Sequence, residues 1–309
     1  MIYTVTLNPA VDKTVYVDNF AIDAVNRASE VRQDAGGKGI NVSKTIHELG
    51  GESTAIAFLG GATGTFIQEA LQAMGIAVKA FDVPGQTRTN TKIVDLANHT
   101  YTDVNEPGTT VTQELLDDAL AIVTLGVNPG DIVVLSGSLP AGSPANTYAT
   151  WARSLRKAGA SVFLDADGDA LREGLAAKPY LVKPNDVELG RLLGRELSTV
   201  DDIAAAARGL VTGGIRQVMV SMGGKGAVFA TEKGAWRLRQ PTVDVVSTVG
   251  AGDSVVATLA FATDRALPLD EAARLSMAVG AATVMHPGTE PAHKDDIDRL
   301  LEQVTVEAL

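Results

Sequence analysis

The sequence has no cysteine, which excludes disulfides and thiolate metal sites. Positive charge is in short supply: 26 Lys and Arg stand against 37 Asp and Glu, a net charge of −11 with a pI near 4.8. The long-range field therefore repels nucleic acid and anionic lipid, so neither is an expected partner, and any anionic ligand must be held by local cations. No apolar run approaches the length of a membrane span, and the opening MIYTVTLNPAVD has no basic segment ahead of an apolar one. The expected location is the cytoplasm. Two familiar nucleotide signatures are also missing. No GxGxxG follows the first strand, and no Gly-Lys pair precedes Ser or Thr, so dinucleotide-binding and Walker-type loops are excluded. What is present is a chain of 309 residues, 45% hydrophobic and 20% charged, enough for one large α/β domain with a substantial core.

Short β-rich runs alternate with segments of helical period. Strands are expected at Ile2 to Leu7, Thr54 to Phe58, Asp131 to Ser136, Ser161 to Asp165, Tyr180 to Val182 and Gln217 to Ser221. Between them, Phe66, Ile67, Ala70, Leu71 and Met74 share a helical face, as do Leu115, Leu116, Ala119, Leu120 and Val123, and then Tyr148, Trp151, Ala152 and Leu155. Such alternation implies a parallel sheet with helices on both faces and ligands at the carboxyl ends of its strands. Two regions, Thr14 to Val31 and Arg88 to Asn105, alternate polar and apolar residues without intervening helices, as strands of a small inserted sheet would. Its small core suits a lid or a contact between two copies. Further strands are expected at Ala227 to Ala230, Ala235 to Leu238 and Thr242 to Val246, as an antiparallel edge before two final long helices.

Three clusters carry chemistry. Val245 to Ser254 runs from β-rich sequence through Gly250-Ala251-Gly252 into a helix with Val255, Val256 and Leu259 apolar. Its amides and helix dipole suit an oxyanion, and Asp253 is either a base facing that anion or simply the helix cap. Asp34 to Asn41 leads into a second helix, where Gly36, Gly37 and Gly39 permit close approach and Lys38 supplies a point charge; a solvated turn is the alternative. In Lys183-Pro184-Asn185-Asp186-Val187-Glu188, Asn185 and Glu188 lie three apart at a helix start, where they either hold Mg²⁺ through its waters or form a capping box. His47, His99, His286 and His293 show no metal-ligand spacing, and Asp165, Asp167 and Asp169 read as loop and cap residues.

Together these stretches resemble the ribokinase, or PfkB-type, carbohydrate kinases. The likeness rests on Gly36-Gly37-Lys38-Gly39-Ile40-Asn41-Val42 and Val249-Gly250-Ala251-Gly252-Asp253-Ser254, and extends through Thr6 to Asp12, Ser136 to Pro140 and Lys183 to Asn185. The resemblance implies a ribokinase-like three-layer α/β/α fold over residues 1–309, with a β lid at about 12–35 and 88–106. It is strongest toward members acting on hexose phosphates. The reaction implied is Mg²⁺-dependent transfer from ATP to fructose 1-phosphate, with tagatose 6-phosphate as the alternative acceptor. By the same resemblance, Asp253 is the catalytic base and Gly250, Ala251 and Gly252 form the anion hole. Asp12, Gly37 and Asn41 face the sugar, Lys38 and Arg88 hold its phosphate, and Ser138 lines that pocket. Lys183, Asn185, Ser221, Gly223, Gly226, Thr248, Gly250 and Gly252 border ATP, with Asn185 and Glu188 near Mg²⁺. A monovalent cation beside the anion hole and a homodimer through the lid complete the expectation.

Overall fold

A computed structural model describes all residues, Met1–Leu309. Fourteen strands fall at β1 (Ile2–Thr6), β2 (Ala10–Val17), β3 (Glu30–Gly36), β4 (Ser53–Leu59), β5 (Ala77–Asp82), β6 (Arg88–Asp95), β7 (Thr100–Asn105), β8 (Ile132–Ser136), β9 (Ser161–Asp165), β10 (Leu181–Val182), β11 (Gln217–Ser221), β12 (Ala227–Thr231), β13 (Gly234–Arg239) and β14 (Thr305–Ala308). The helices are α1 (Lys38–Glu48), α2 (Gly61–Ala73), α3 (Gln113–Gly126), α4 (Thr147–Lys157), α5 (Gly168–Leu175), α6 (Asp186–Leu193), α7 (Val200–Thr212), α8 (Ala251–Asp264), α9 (Leu269–Thr283) and α10 (Lys294–Leu301).

Ten strands make the main sheet, in the order β14-β13-β12-β11-β10-β9-β8-β1-β4-β5. From β5 to β11 every pairing is parallel, and the last three strands are antiparallel. Central strands covered on both faces read as continuous apolar runs, and Ile132-Val133-Val134-Leu135 of β8 is buried throughout. Alternate side chains feed opposite layers. Val133, Leu135, Val162 and Leu164 pack with α3, α4, α5 and α7, while Ile132, Val134, Phe163 and Met219 pack with α1, α8, α9 and α10. The parallel strands end at Thr6, Ser136, Asp165, Val182 and Ser221, so these residues share one rim of the sheet.

The alternating segments form a separate four-stranded sheet, ordered β3-β2-β6-β7. β2 pairs antiparallel with β3 and β6 with β7, whereas β2 and β6 run parallel, with Ala10 opposite Arg88 and Asp12 opposite Asn90.

Three expectations need correction. Thr242 to Val246 is not a strand: the amides of Val246 and Ser247 both donate to the Val284 carbonyl, at 2.8 and 3.1 Å, which ties this segment to the end of α9 instead of to a ladder. The sheet edge is supplied by β14, with Leu238 opposite Val306. After α8 and α9 the chain also adds the short α10, whose Ile297 and Leu300 close the core.

Candidate active site

The helix carrying Asp253 starts because Gly250 adopts φ 81, a left-handed turn that a side chain disfavours. Ser254 is the first amide to bond back, to the Gly250 carbonyl at 2.8 Å, so the amides of Ala251, Gly252 and Asp253 have no partner inside the helix. Their dipoles converge where the rim of the sheet lies. Asp253 is buried in the first turn and caps nothing; its Oδ2 accepts a hydrogen bond from Asn41 Nδ2 at 2.8 Å. Burial, then the nearby Asp165 charge, pushes the Asp253 carboxyl up to about 6, against the pull of Lys38, Asn41 and Lys183.

Asp165, at the tip of β9, is 1% exposed and joins two cations. Its Oδ1 lies 3.2 Å from Lys38 Nζ and 3.4 Å from Lys183 Nζ, while Oδ2 has no protein partner. These lysines hold Asp165 below the usual carboxylate range despite its burial, and Asp165 in turn raises Lys38. Lys183 stands so close over Gly252 that a Cβ there would be 3.0 Å from Nζ. Asp165 therefore organises the cations around the helix start, a role that sequence reading missed. Its strand-terminal position, in register with Ser136 of β8, was the available signal.

On the other side of Asp253 lies the base of the small sheet. Asn90 Nδ2 donates to Asp12 Oδ1 at 3.2 Å. Burial raises the Asp12 carboxyl, with the Asn90 bond opposing. A Cβ on Gly36 would come within 2.0 Å of Asp12 Oδ2, so only glycine leaves the Asp12 carboxylate where it stands. Gly37, at φ 114, turns the chain into α1. Along α1, Lys38, Asn41 and Lys44 recur every third residue and share a face. Lys44 is buried and donates to Thr289 Oγ1 at 3.1 Å, and burial lowers its pKa. That spacing could have revealed Lys44. Arg88 donates to the carbonyls of Glu106 and Asn8, and its buried Nε has no protein partner. Asn8 Nδ2 reaches Ser138 Oγ at 3.2 Å, which links Ser138 to the Arg88 corner.

Two cavities flank the segment from Val249 to Asp253. One, of about 630 Å³, is lined by Lys38, Lys183, Asn185, Glu188, Ser221, Gly223, Gly252 and Asp253 among others. The other, of about 230 Å³, is lined by Asp12, Asp34, Asn90, Asn105, Val249 and Thr289 among others. Lys38 thus faces the larger cavity, which Arg88 does not line. Asn185 and Glu188 do form a capping box at the start of α6: Asn185 Oδ1 accepts from the Glu188 amide at 2.7 Å and Glu188 Oε2 from the Asn185 amide at 2.9 Å. Gly226 lies outside both cavities in a tight turn, where a Cβ would meet the Leu238 carbonyl at 2.0 Å. Thr248 is exposed and faces a third cavity, of about 470 Å³, beside Thr14, Tyr16 and Lys92 of the small sheet.

The pattern of the pfkB family of carbohydrate kinases matches residues 5–295. The chain belongs to this family. As a pfkB kinase it is similar to a 1-phosphofructokinase of Rhodobacter capsulatus, at 41% identity over 309 residues, covering 100% of this chain and 98% of that protein. A tagatose-6-phosphate kinase of Staphylococcus epidermidis is 32% identical over 309 residues, covering 99% of each chain. The crystal structure of phosphofructokinase-2 from Escherichia coli in complex with potassium superposes with a TM-score of 0.93 at 32% identity, covering 98% of each chain. The pfkB kinase resemblance, the ribokinase-like fold and the sugar-phosphate kinase class read from the motifs are thereby borne out.

Proposed function

We propose that this pfkB kinase transfers the terminal phosphoryl group of ATP to the free primary hydroxyl of fructose 1-phosphate, giving fructose 1,6-bisphosphate, in the cytoplasm. The observation that carries the reading is the placement of Val249 to Asp253 between two polar cavities, with a buried carboxylate and partnerless amides at the junction. In this reading the larger cavity takes ATP, along Lys183, Asn185, Ser221 and Gly223, and the smaller one takes the sugar against Asp12 and Asn90, with Asn41 holding Asp253. Arg88, with Nε free, and Ser138 receive the phosphate already on the acceptor. Gly226 acts through the tight turn it shapes.

Asp253 removes the proton of the attacking hydroxyl. A carboxyl raised to about 6 is charged at neutral pH yet basic enough for proton transfer in a water-poor niche. The amides of Gly250, Ala251 and Gly252 and the ammonium of Lys183 offset charge on the phosphoryl oxygens. Lys38, fixed by Asp165, bridges from the helix start toward the same oxygens.

The donor set of the larger cavity fits Mg²⁺. The capping box uses one oxygen of Glu188 and leaves the other, and Asp186 adds a second carboxylate; these two hard oxygen ligands would hold the ion. Bound there, Mg²⁺ neutralises charge on the nucleotide phosphates. The potassium complex of the Escherichia coli relative supports a monovalent cation for this chain too. Exposed Val31, Tyr101 and Val104 on the small sheet support pairing of two copies through it.

The test compares fructose 1-phosphate, fructose 6-phosphate and tagatose 6-phosphate with Mg²⁺ and ATP, following ADP release. A kcat/KM at least ~10-fold higher for fructose 1-phosphate is expected. Preference for tagatose 6-phosphate, favoured by the likeness to the staphylococcal kinase, would replace the substrate. No turnover on any of the three would remove the function.

A further inference from the structure

The turn joining α9 to α10 gathers side chains that phosphoryl transfer does not use. His286, Glu290 and His293 each offer one donor atom, all within 4.8 Å of one another. His293 Nε2 lies 3.2 Å and His286 Nδ1 4.0 Å from the same oxygen, Glu290 Oε1. The two imidazole centroids are 4.4 Å apart and meet edge to face. The reading from sequence spacing found no metal set among these histidines, because the segment between the helices folds back on itself.

We propose that His286, Glu290 and His293 bind a borderline transition-metal dication, Zn²⁺ foremost, in a three-ligand site that pins the α9–α10 turn to the base of the small sheet. The donor chemistry selects the ion. Two imidazoles and one carboxylate suit Zn²⁺ and its neighbours, whereas Mg²⁺ requires oxygen ligands. Tetrahedral Zn²⁺ at about 2.0–2.1 Å from each ligand needs donors roughly 3.3 Å apart, so the set contracts only modestly on binding. His293, half exposed, supplies the movement and leaves the fourth position to solvent.

A second observation points the same way. His286 Nε2 stands 3.2 Å from Asp296 Oδ2, and Asp296 is itself held by Arg299 at 2.8 Å. A ring that donates Nε2–H to a carboxylate presents Nδ1 as a lone pair, the outer arrangement usual for metal-bound histidine. Glu290 is divided in a compatible way. Oε1 faces the histidines, while Oε2 pairs with Arg32 Nη1 at 3.3 Å, and Arg32 bonds Asp34 of β3 at 2.9 Å. Metal on Oε1 therefore leaves Oε2 available for the link to Arg32 of β3.

The test titrates the full-length, metal-stripped protein with Zn²⁺ against a chromophoric chelator. It uses the parent, His293→Gln and His286→Gln. Carboxylates elsewhere also take Zn²⁺, so the decisive quantity is the difference: each variant should lose one zinc equivalent, or at least ~100-fold in affinity at that site. Asp296→Asn should weaken the same site about 10-fold. X-ray absorption at the zinc edge should report two imidazole nitrogens in the parent. His293→Gln, altered at an exposed position, should keep the parent's zinc-free turnover and melting temperature. Equal stoichiometry and affinity in parent and both histidine variants would overturn the proposal, as would a zinc spectrum without imidazole. Neither outcome bears on the kinase reading, which the ADP-release assay tests separately.

Discussion

Replacing Asp253 by Asn should make the protein more stable and nearly inactive at once. In the fold this carboxyl is raised from 3.8 to about 6, so ionising it there costs roughly 3 kcal/mol more than in the unfolded chain. The sign follows from the direction of the shift. Below pH 3.8 the group is protonated in both states and exacts no cost. Its contribution to stability is lost as pH rises toward 6, and above that the full cost is present. Asn reproduces the neutral form and can keep the bond from Asn41 through its amide oxygen. At pH 8 the variant should gain about 3 kcal/mol. With roughly 2 cal/mol/K of unfolding entropy per residue, that is a rise in Tm of about 5 °C for a chain of this size. At pH 5 the gain should shrink to about half. Turnover should fall by ~10²–10⁴, the scale of general base catalysis. Scanning calorimetry at the two pH values and coupled ADP release provide the readouts. A variant less stable than the parent at pH 8 would refute the cost of the buried charge, and one retaining more than a tenth of the parent's turnover would refute the base.

In the parent, log kcat/KM for the sugar phosphate should climb with pH through about 6 and level off above it; a flat profile from pH 5 to 8 would remove Asp253 as the base. Gly36→Ala should displace Asp12, because the new Cβ would fall 2.0 Å from its Oδ2, and initial rates should show KM for the sugar phosphate up ~10-fold or more with KM for ATP little changed. Asp165→Asn leaves Lys183 buried without its counter-charge and should cost about 3 kcal/mol in urea denaturation, whereas replacing the exposed Asp169 should cost almost nothing.

The parts of the site legible in the sequence are those where local chain geometry and chemistry coincide. Gly36 to Asn41 and Gly250 to Asp253 are turn-to-helix junctions, so glycines, charge and apolar period all fall within a few consecutive residues. Asn185 and Glu188 were equally legible as a pair, though the spacing of a capping box is also that of a ligand pair, and only the paired amide bonds distinguish them. Asp165 could not be read in this way. It resembles any acidic residue after a strand until the sheet brings Lys38, 127 positions away, to its side. Strand β14 escaped because its alternation of Thr305-Val306-Glu307-Ala308 is only four residues long and largely exposed, too short to stand out. Thr242 to Val246 has the composition of a strand, yet exposed Val245 and Val246 line a cavity against the small sheet and their backbone is committed to Val284.

The parallel pairing of β2 with β6 has a mechanical corollary. Asp12 and Asn90 are register partners on neighbouring strands, joined by a ladder as well as by their side chains. Any tilt of the four-stranded unit therefore carries both groups together, like two jaws cut from one plate. The grip on an acceptor keeps its shape throughout such a stroke, and the only quantity that changes is how near the held hydroxyl is brought to the carboxylate across the gap.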